Sequence, residues 1–212
     1  MPDRAARHAA AMVQAGRYAI FAVALVAAVH PSGAQEGGPT KHFSVDNPAD
    51  LSDTDAEDIY RRLTGPLRRG YALADHPVAR AYQSWSRYNT TPYRSETHGE
   101  RFVNNYANGL ARAYGSFEEA GPLPAGSIVA KDSFAVTAAG DVFAGPLFIM
   151  EKMPQGFNAA SRDWRYSMIM PDGSVFGVTK GQDSHKVQFC ITCHARAGDD
   201  NDHLFFLPEA YR

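Results

Sequence analysis

The chain holds two cysteines, Cys190 and Cys193, and His194 follows the second directly. The spacing is Cys-x-x-Cys-His. Thiols three residues apart on a near-helical turn lie on one side of it. Two thiols so placed can add across the two vinyl groups of a haem, and the next residue can give the iron its proximal imidazole. Three other chemistries compete for these residues. The pair could form a structural disulfide. It could be a thioredoxin-like redox pair, but no βαβ pattern surrounds it. It could be half a zinc site completed by His194 or His203, but a closed zinc site takes four ligands at recognisable spacing. The motif favours covalent haem c on Cys190 and Cys193, with His194 on the iron.

The place of the motif narrows what the rest of the chain must supply. Only 18 residues follow His194, so a second axial ligand comes from upstream or is absent. Met150, Met153, Met168 and Met170 could ligate iron, although each also suits packing on a strand. Phe102, Phe134, Phe143, Phe148 and Tyr106 are candidates for an apolar lining. Asp132 and Glu151 are candidates for proton transfer. Arg101 and Arg165 suit haem propionates, because a guanidinium matches a carboxylate.

The elements that must position these residues can be read in part. Residues 1–34 read as a signal peptide: Arg4, Arg7 and Arg17 precede an apolar run from Ala19 to Val29, and Ser32-Gly33-Ala34 offers small residues for cleavage. That run is short for a membrane span, so the mature protein is expected free of the membrane. Export suits haem c and, in a bacterium, means the periplasm. Removing the segment takes the formal charge from −2 to −4, which leaves no basic footprint for nucleic acid. Residues 35–51 read as a flexible leader, and 52–212 as a single domain. Ser52 with Asp53 and Asp55 opens a helix that Gly65-Pro66 is expected to break. A second helical stretch follows Pro77, with Val78, Tyr82 and Trp85 on one face.

Beyond Arg101 the pattern turns to strands: 101–108, 126–136, 146–150, 164–170 and 174–179, with a short helix predicted at 109–120. Ala139-Gly140-Asp141 and Pro171-Asp172-Gly173 supply turns. Ser184 is expected to cap a last helix carrying Val187, Cys190, Ile191 and His194 on one side. The fold class is α+β: an antiparallel sheet with helices packed on it and a C-terminal haem-attachment helix.

Residues 90–212 resemble the cytochrome P460 family, which includes the β-type cytochromes c′. The likeness rests on Thr97-His98-Gly99-Glu100-Arg101-Phe102-Val103-Asn104-Asn105-Tyr106, on Gly126-Ser127-Ile128-Val129-Ala130-Lys131, on the strand at Trp164 and on the Cys190–His194 motif. It implies an antiparallel sheet, often a dimer, and a five-coordinate haem open on the distal side. Cytochromes P460 oxidise hydroxylamine, and β-type cytochromes c′ bind nitric oxide and similar gases. A homodimer and an electron-accepting cytochrome are therefore expected partners. The resemblance places Lys131 where cytochromes P460 join a lysine to a meso carbon of the haem. Lysine is rarely buried and the chain has five, yet this one sits in an otherwise small and apolar strand. Without the resemblance, it reads as an edge-strand lysine facing solvent. The resemblance also places His98 over the haem, where it could exchange a proton with an iron-bound ligand; a solvated loop histidine is the plainer reading.

Overall fold

The computed structural model describes residues 39–212; the segment read as a signal peptide lies outside them. The long strand β5 (Ile128–Val136) is its centre. Around it lie β1 (Lys41–Ser44), β2 (Ser86–Arg87), β3 (Tyr93–Ser95), β4 (Arg101–Ala107), β6 (Asp141–Ala144), β7 (Leu147–Lys152), β8 (Trp164–Ile169) and β9 (Val175–Val178), in one nine-stranded sheet. Every pairing is antiparallel. β4 pairs with β5 along one side. On the other side, β6 takes the second half of β5 and β7 takes the first. Then β8 and β9 follow in order. Lys41–Ser44 falls in the segment read as a flexible leader, yet it pairs with β6. Phe43 there lies under the Arg62 guanidinium, 3.4 Å away.

One face of the sheet carries α1 (Asp53–Ala72) and α2 (Pro77–Ala81). Ser52 caps α1 in a reciprocal box with Asp55: the Asp55 N–H donates to Ser52 Oγ at 3.2 Å, and the Ser52 N–H donates to the Asp55 carboxylate at 2.9 Å. Contrary to the sequence expectation, α1 runs through Gly65-Pro66. Its buried stripe of Ile59 and Leu63 continues as Leu67 and Tyr71. A proline inside a helix costs about 3 kcal/mol. Burying Leu67 and Tyr71 recovers roughly 1.5–3 kcal/mol apiece. Tyr71 also donates its hydroxyl to the Gly145 carbonyl at 2.6 Å.

The other face carries a 3-10 segment (Gly109–Glu119) where a short helix was expected, α3 (Gln188–His194), and the C-terminal residues, whose Leu204 and Leu207 are buried. Ser184 begins a 3-10 turn ahead of α3 and makes no side-chain cap. Of the four residues expected along one side, Val187, Ile191 and His194 are buried and Cys190 is half-buried. Among the described residues, no helix is long and apolar enough to cross a membrane.

Candidate haem site

Alternation along β5 decides which side chains meet α3. Ala130 and Phe134 join the core under α1 and α2, while Val129 joins the core under α3. Lys131 shares the side of Val129. Register carries this parity across the sheet. Lys131 stands opposite Phe148, and Phe148 opposite Met168; Val129 stands opposite Met150, and Met150 opposite Tyr166. These two rows floor a cavity of about 250 Å³. The turn Thr97-His98-Gly99 and Arg101 wall one part of it, and Cys190, Cys193, His194 and Phe205 another.

His194 is 9% exposed, with its ring against Tyr166 and Phe205 at 5.2 and 5.6 Å between centroids. Its Nδ1 lies 2.9 Å from the His203 carbonyl oxygen. A carbonyl only accepts, so Nδ1 carries the hydrogen and Nε2 keeps its lone pair. Burial, with help from Lys131, brings His194 down to about 4, so the ring is neutral near pH 7. That is the state an iron ligand needs.

The carbonyl that orients His194 is itself strapped. Asp202, fully buried, accepts from Lys152 Nζ at 2.5 Å, from the Leu123 N–H at 3.0 Å and from Arg162 Nε at 3.3 Å. The Asp202 carbonyl accepts from Trp164 Nε1 at 2.7 Å. Sequence reasoning missed this clamp. Its members are 38 to 79 positions apart, and no local pattern links them.

Lys131 is 9% exposed and lies on a strand paired on both sides, so the edge-strand reading is overturned. Burial lowers its amine to about 8, with the nearby Cys193 acting weakly the other way. His98 also lines the cavity and is half-buried. Its ring meets Phe148 at 4.9 Å, and its Nδ1 lies 2.8 Å from Ser95 Oγ and 3.3 Å from Thr97 Oγ1. Burial holds His98 down to about 2, and the charges of Lys131 and His194 push the same way.

Other candidates fall elsewhere. Asp132 points to the α1 face, where it accepts from Tyr60 at 2.7 Å, Tyr82 at 3.0 Å and Asn104 at 3.0 Å. Glu151 and Arg165 hold each other at 2.8 and 2.9 Å, so neither is free for proton transfer or a propionate. Phe102 and Phe134 stack at 5.1 Å in the α1 core, and Tyr106 lies there too. Of the five aromatics expected to line the site, Phe148 does. Met150 and Met168 line it, while Met153 and Met170 lie beyond the strand ends.

The family model of cytochrome P460 matches residues 79–206. The chain belongs to the cytochrome P460 family. Among curated proteins, none matches it. Membership makes the protein a haem c cytochrome, and the cavity suits that group. Among the described residues, Arg101 Nε is buried without a partner and no carboxylate lines the cavity. The side chain lies in a cradle of glycines. A Cβ on Gly145 would come 2.9 Å from Arg101 Cδ, and one on Gly99 would come 2.2 Å from Nη1. A haem propionate would give this guanidinium its missing acceptor. The rival chemistries of the motif find no such support. Both cysteines are free thiols, with Cys190 pushed up to about 12 by burial. Among the described residues, no group of three or more His, Cys, Asp or Glu could hold a metal ion.

Proposed function

We propose that this cytochrome is exported to the periplasm and oxidises hydroxylamine. Cys190 and Cys193 would hold the haem by thioethers, His194 would bind the iron through Nε2, and Arg101 would pair with a propionate. Lys131 would supply a further bond to the macrocycle. A haem held there would supply a site for hydroxylamine and a route for its electrons to a partner cytochrome. The protein's own part is to exclude water with Phe148, Met150 and Met168 and to keep the proximal imidazole neutral and fixed. Such a bond from the Lys131 nitrogen to a meso carbon would replace one N–H and one C–H bond, and its two protons and two electrons would have to go to a two-electron oxidant such as a peroxide.

One observation carries this reading: a lysine on a central strand, buried, in the same cavity as the Cys-x-x-Cys-His helix. A solvent-facing or edge lysine would have removed its basis. A second reading, a nitric oxide binder resembling the β-type cytochromes c′, is favoured by the absence of any Asp or Glu from the cavity lining. Peptide mapping of the holoprotein separates the two. The enzyme reading expects haem to bridge the fragment of Lys131 and the fragment of Cys190–His194. It also expects a red-shifted ferrous Soret band that Lys131→Ala returns to an ordinary haem c position, with loss of hydroxylamine oxidation. Haem on the Cys190–His194 fragment alone, with an unchanged spectrum in Lys131→Ala, leaves the gas-binding reading.

A further inference from the structure

The cavity contains two imidazoles whose hydrogen-bond partners differ in kind. The partner of His194 Nδ1 is a carbonyl, which can only accept. The nearest partner of His98 Nδ1 is the Ser95 hydroxyl at 2.8 Å, which can also donate. Ser95 is 8% exposed, and its hydroxyl has no second acceptor among the hydrogen bonds of the described residues. A buried hydroxyl proton left without an acceptor is costly, so it goes to Nδ1. Thr97, also within 3.3 Å, is exposed and can give its own proton to water. The two rings then hold opposite tautomers: His194 offers a lone pair at Nε2, and His98 offers an N–H.

We propose that Ser95 is a positioning residue that fixes His98 as a neutral hydrogen-bond donor, aiming Nε2–H at the ligand bound to the haem iron. Geometry keeps the two roles apart. His98 packs on Phe148, in the row of Lys131, whereas His194 packs on Tyr166, in the row of Met150. The groups around His98 agree. Lys131, Arg101 and His194 share its cavity, and among the described residues no Asp or Glu lines it, so no protein carboxylate there stabilises an imidazolium. A neutral donor favours ligands with an electronegative outer atom over ligands that bind through metal–carbon bonding alone. The proposal rests on haem filling this cavity and holds whether or not hydroxylamine is the substrate.

The test uses the ferrous holoprotein with carbon monoxide and nitric oxide as probes. The carbon monoxide stretching frequency reports a nearby N–H donor without any turnover. Ser95→Ala is expected to raise this frequency and speed nitric oxide dissociation about tenfold, the loss of one hydrogen bond of ordinary strength. His98→Leu is expected to do the same or more, and Ser95→Thr, which keeps the hydroxyl, to stay near the native values. Haem content and circular dichroism show that the variants remain folded. Unchanged frequency and off-rate in Ser95→Ala overturn the proposal. So does a six-coordinate, low-spin ferrous spectrum that His98→Leu converts to high spin, because His98 would then be a ligand and not a donor.

Discussion

Lys131 and Asp132 are neighbours on β5, carry opposite charges and face opposite sides of the sheet. The α1 side surrounds its charge with donors. Two tyrosines and Asn104 donate to Asp132, Tyr106 bonds to Tyr60, and Asn89 Nδ2 donates to the Asn104 carbonyl oxygen at 2.9 Å. The α3 side leaves its groups open among the described residues: Lys131 meets no carboxylate, Arg101 Nε and the Tyr166 hydroxyl are buried without partners, and Cys190 and Cys193 form no disulfide. A saturated buried network rigidifies a core. Open buried groups cost stability and persist where a ligand will satisfy them. One strand thus divides the molecule into a side that holds the fold and a side whose residues suit a cofactor.

The largest expected effect lies on the open side. Cys190→Ala with Cys193→Ala should release essentially all haem on acid–acetone extraction, while the circular dichroism of the α1 side persists. Stoichiometric zinc in a haem-free native protein would break the comparison at its root. On the saturated side, Asp132→Ala should cost about 3 kcal/mol in urea unfolding by stranding buried donors, with haem attachment unchanged. A loss near zero would show that the network is not what holds that face.

The two neighbours should also give opposite pH slopes in haem-free protein. Burial raises Asp132 to about 6 from its ordinary 3.8, so its contribution is full below pH 3.8 and is lost as pH rises through 6. Lys131 is lowered to about 8 from 10.5, so the unfolded chain holds the extra proton between those values and stability rises with pH there. Each slope is at most about 1.4 kcal/mol per pH unit. Asp132→Asn should flatten the first and Lys131→Met the second, and either variant flattening both would deny that the faces are separate. The smallest effect concerns the clamp under His194. Trp164→Phe strands the Asp202 carbonyl and should cost about 1 kcal/mol. By loosening the His203 acceptor it should also raise the haem reduction potential, since a weaker Nδ1 bond makes a less basic ligand. An unchanged potential would confine the clamp to a structural role.

Much of this was legible in the chain itself. Cys-x-x-Cys-His states its chemistry because all three groups sit within five residues of one helical turn. Strands β4, β5, β7, β8 and β9 follow from local patterning and from turns such as Pro171-Asp172-Gly173, whereas the short β6 does not, and Ser52 marks its helix start because capping is a local bond. The misreadings share a cause. Gly65-Pro66 breaks a helix locally, but the core beneath Leu67 and Tyr71 outweighs it. Lys41–Ser44 looks loose until β6, far along the chain, supplies its hydrogen bonds.

The sequence by itself determined the parity of β5: Lys131 and Asp132 had to face opposite ways, because successive strand residues always do. It could not say which parity would face α3. That was settled when α1 buried Ala130 and Phe134 and left Val129 and Lys131 to α3. The sequence likewise marked Asp132, Glu151, Arg101 and Arg165 as chemically able. Only the tertiary structure separated them, because a charged side chain is free for function when no neighbour has claimed it, and those neighbours come from distant strands.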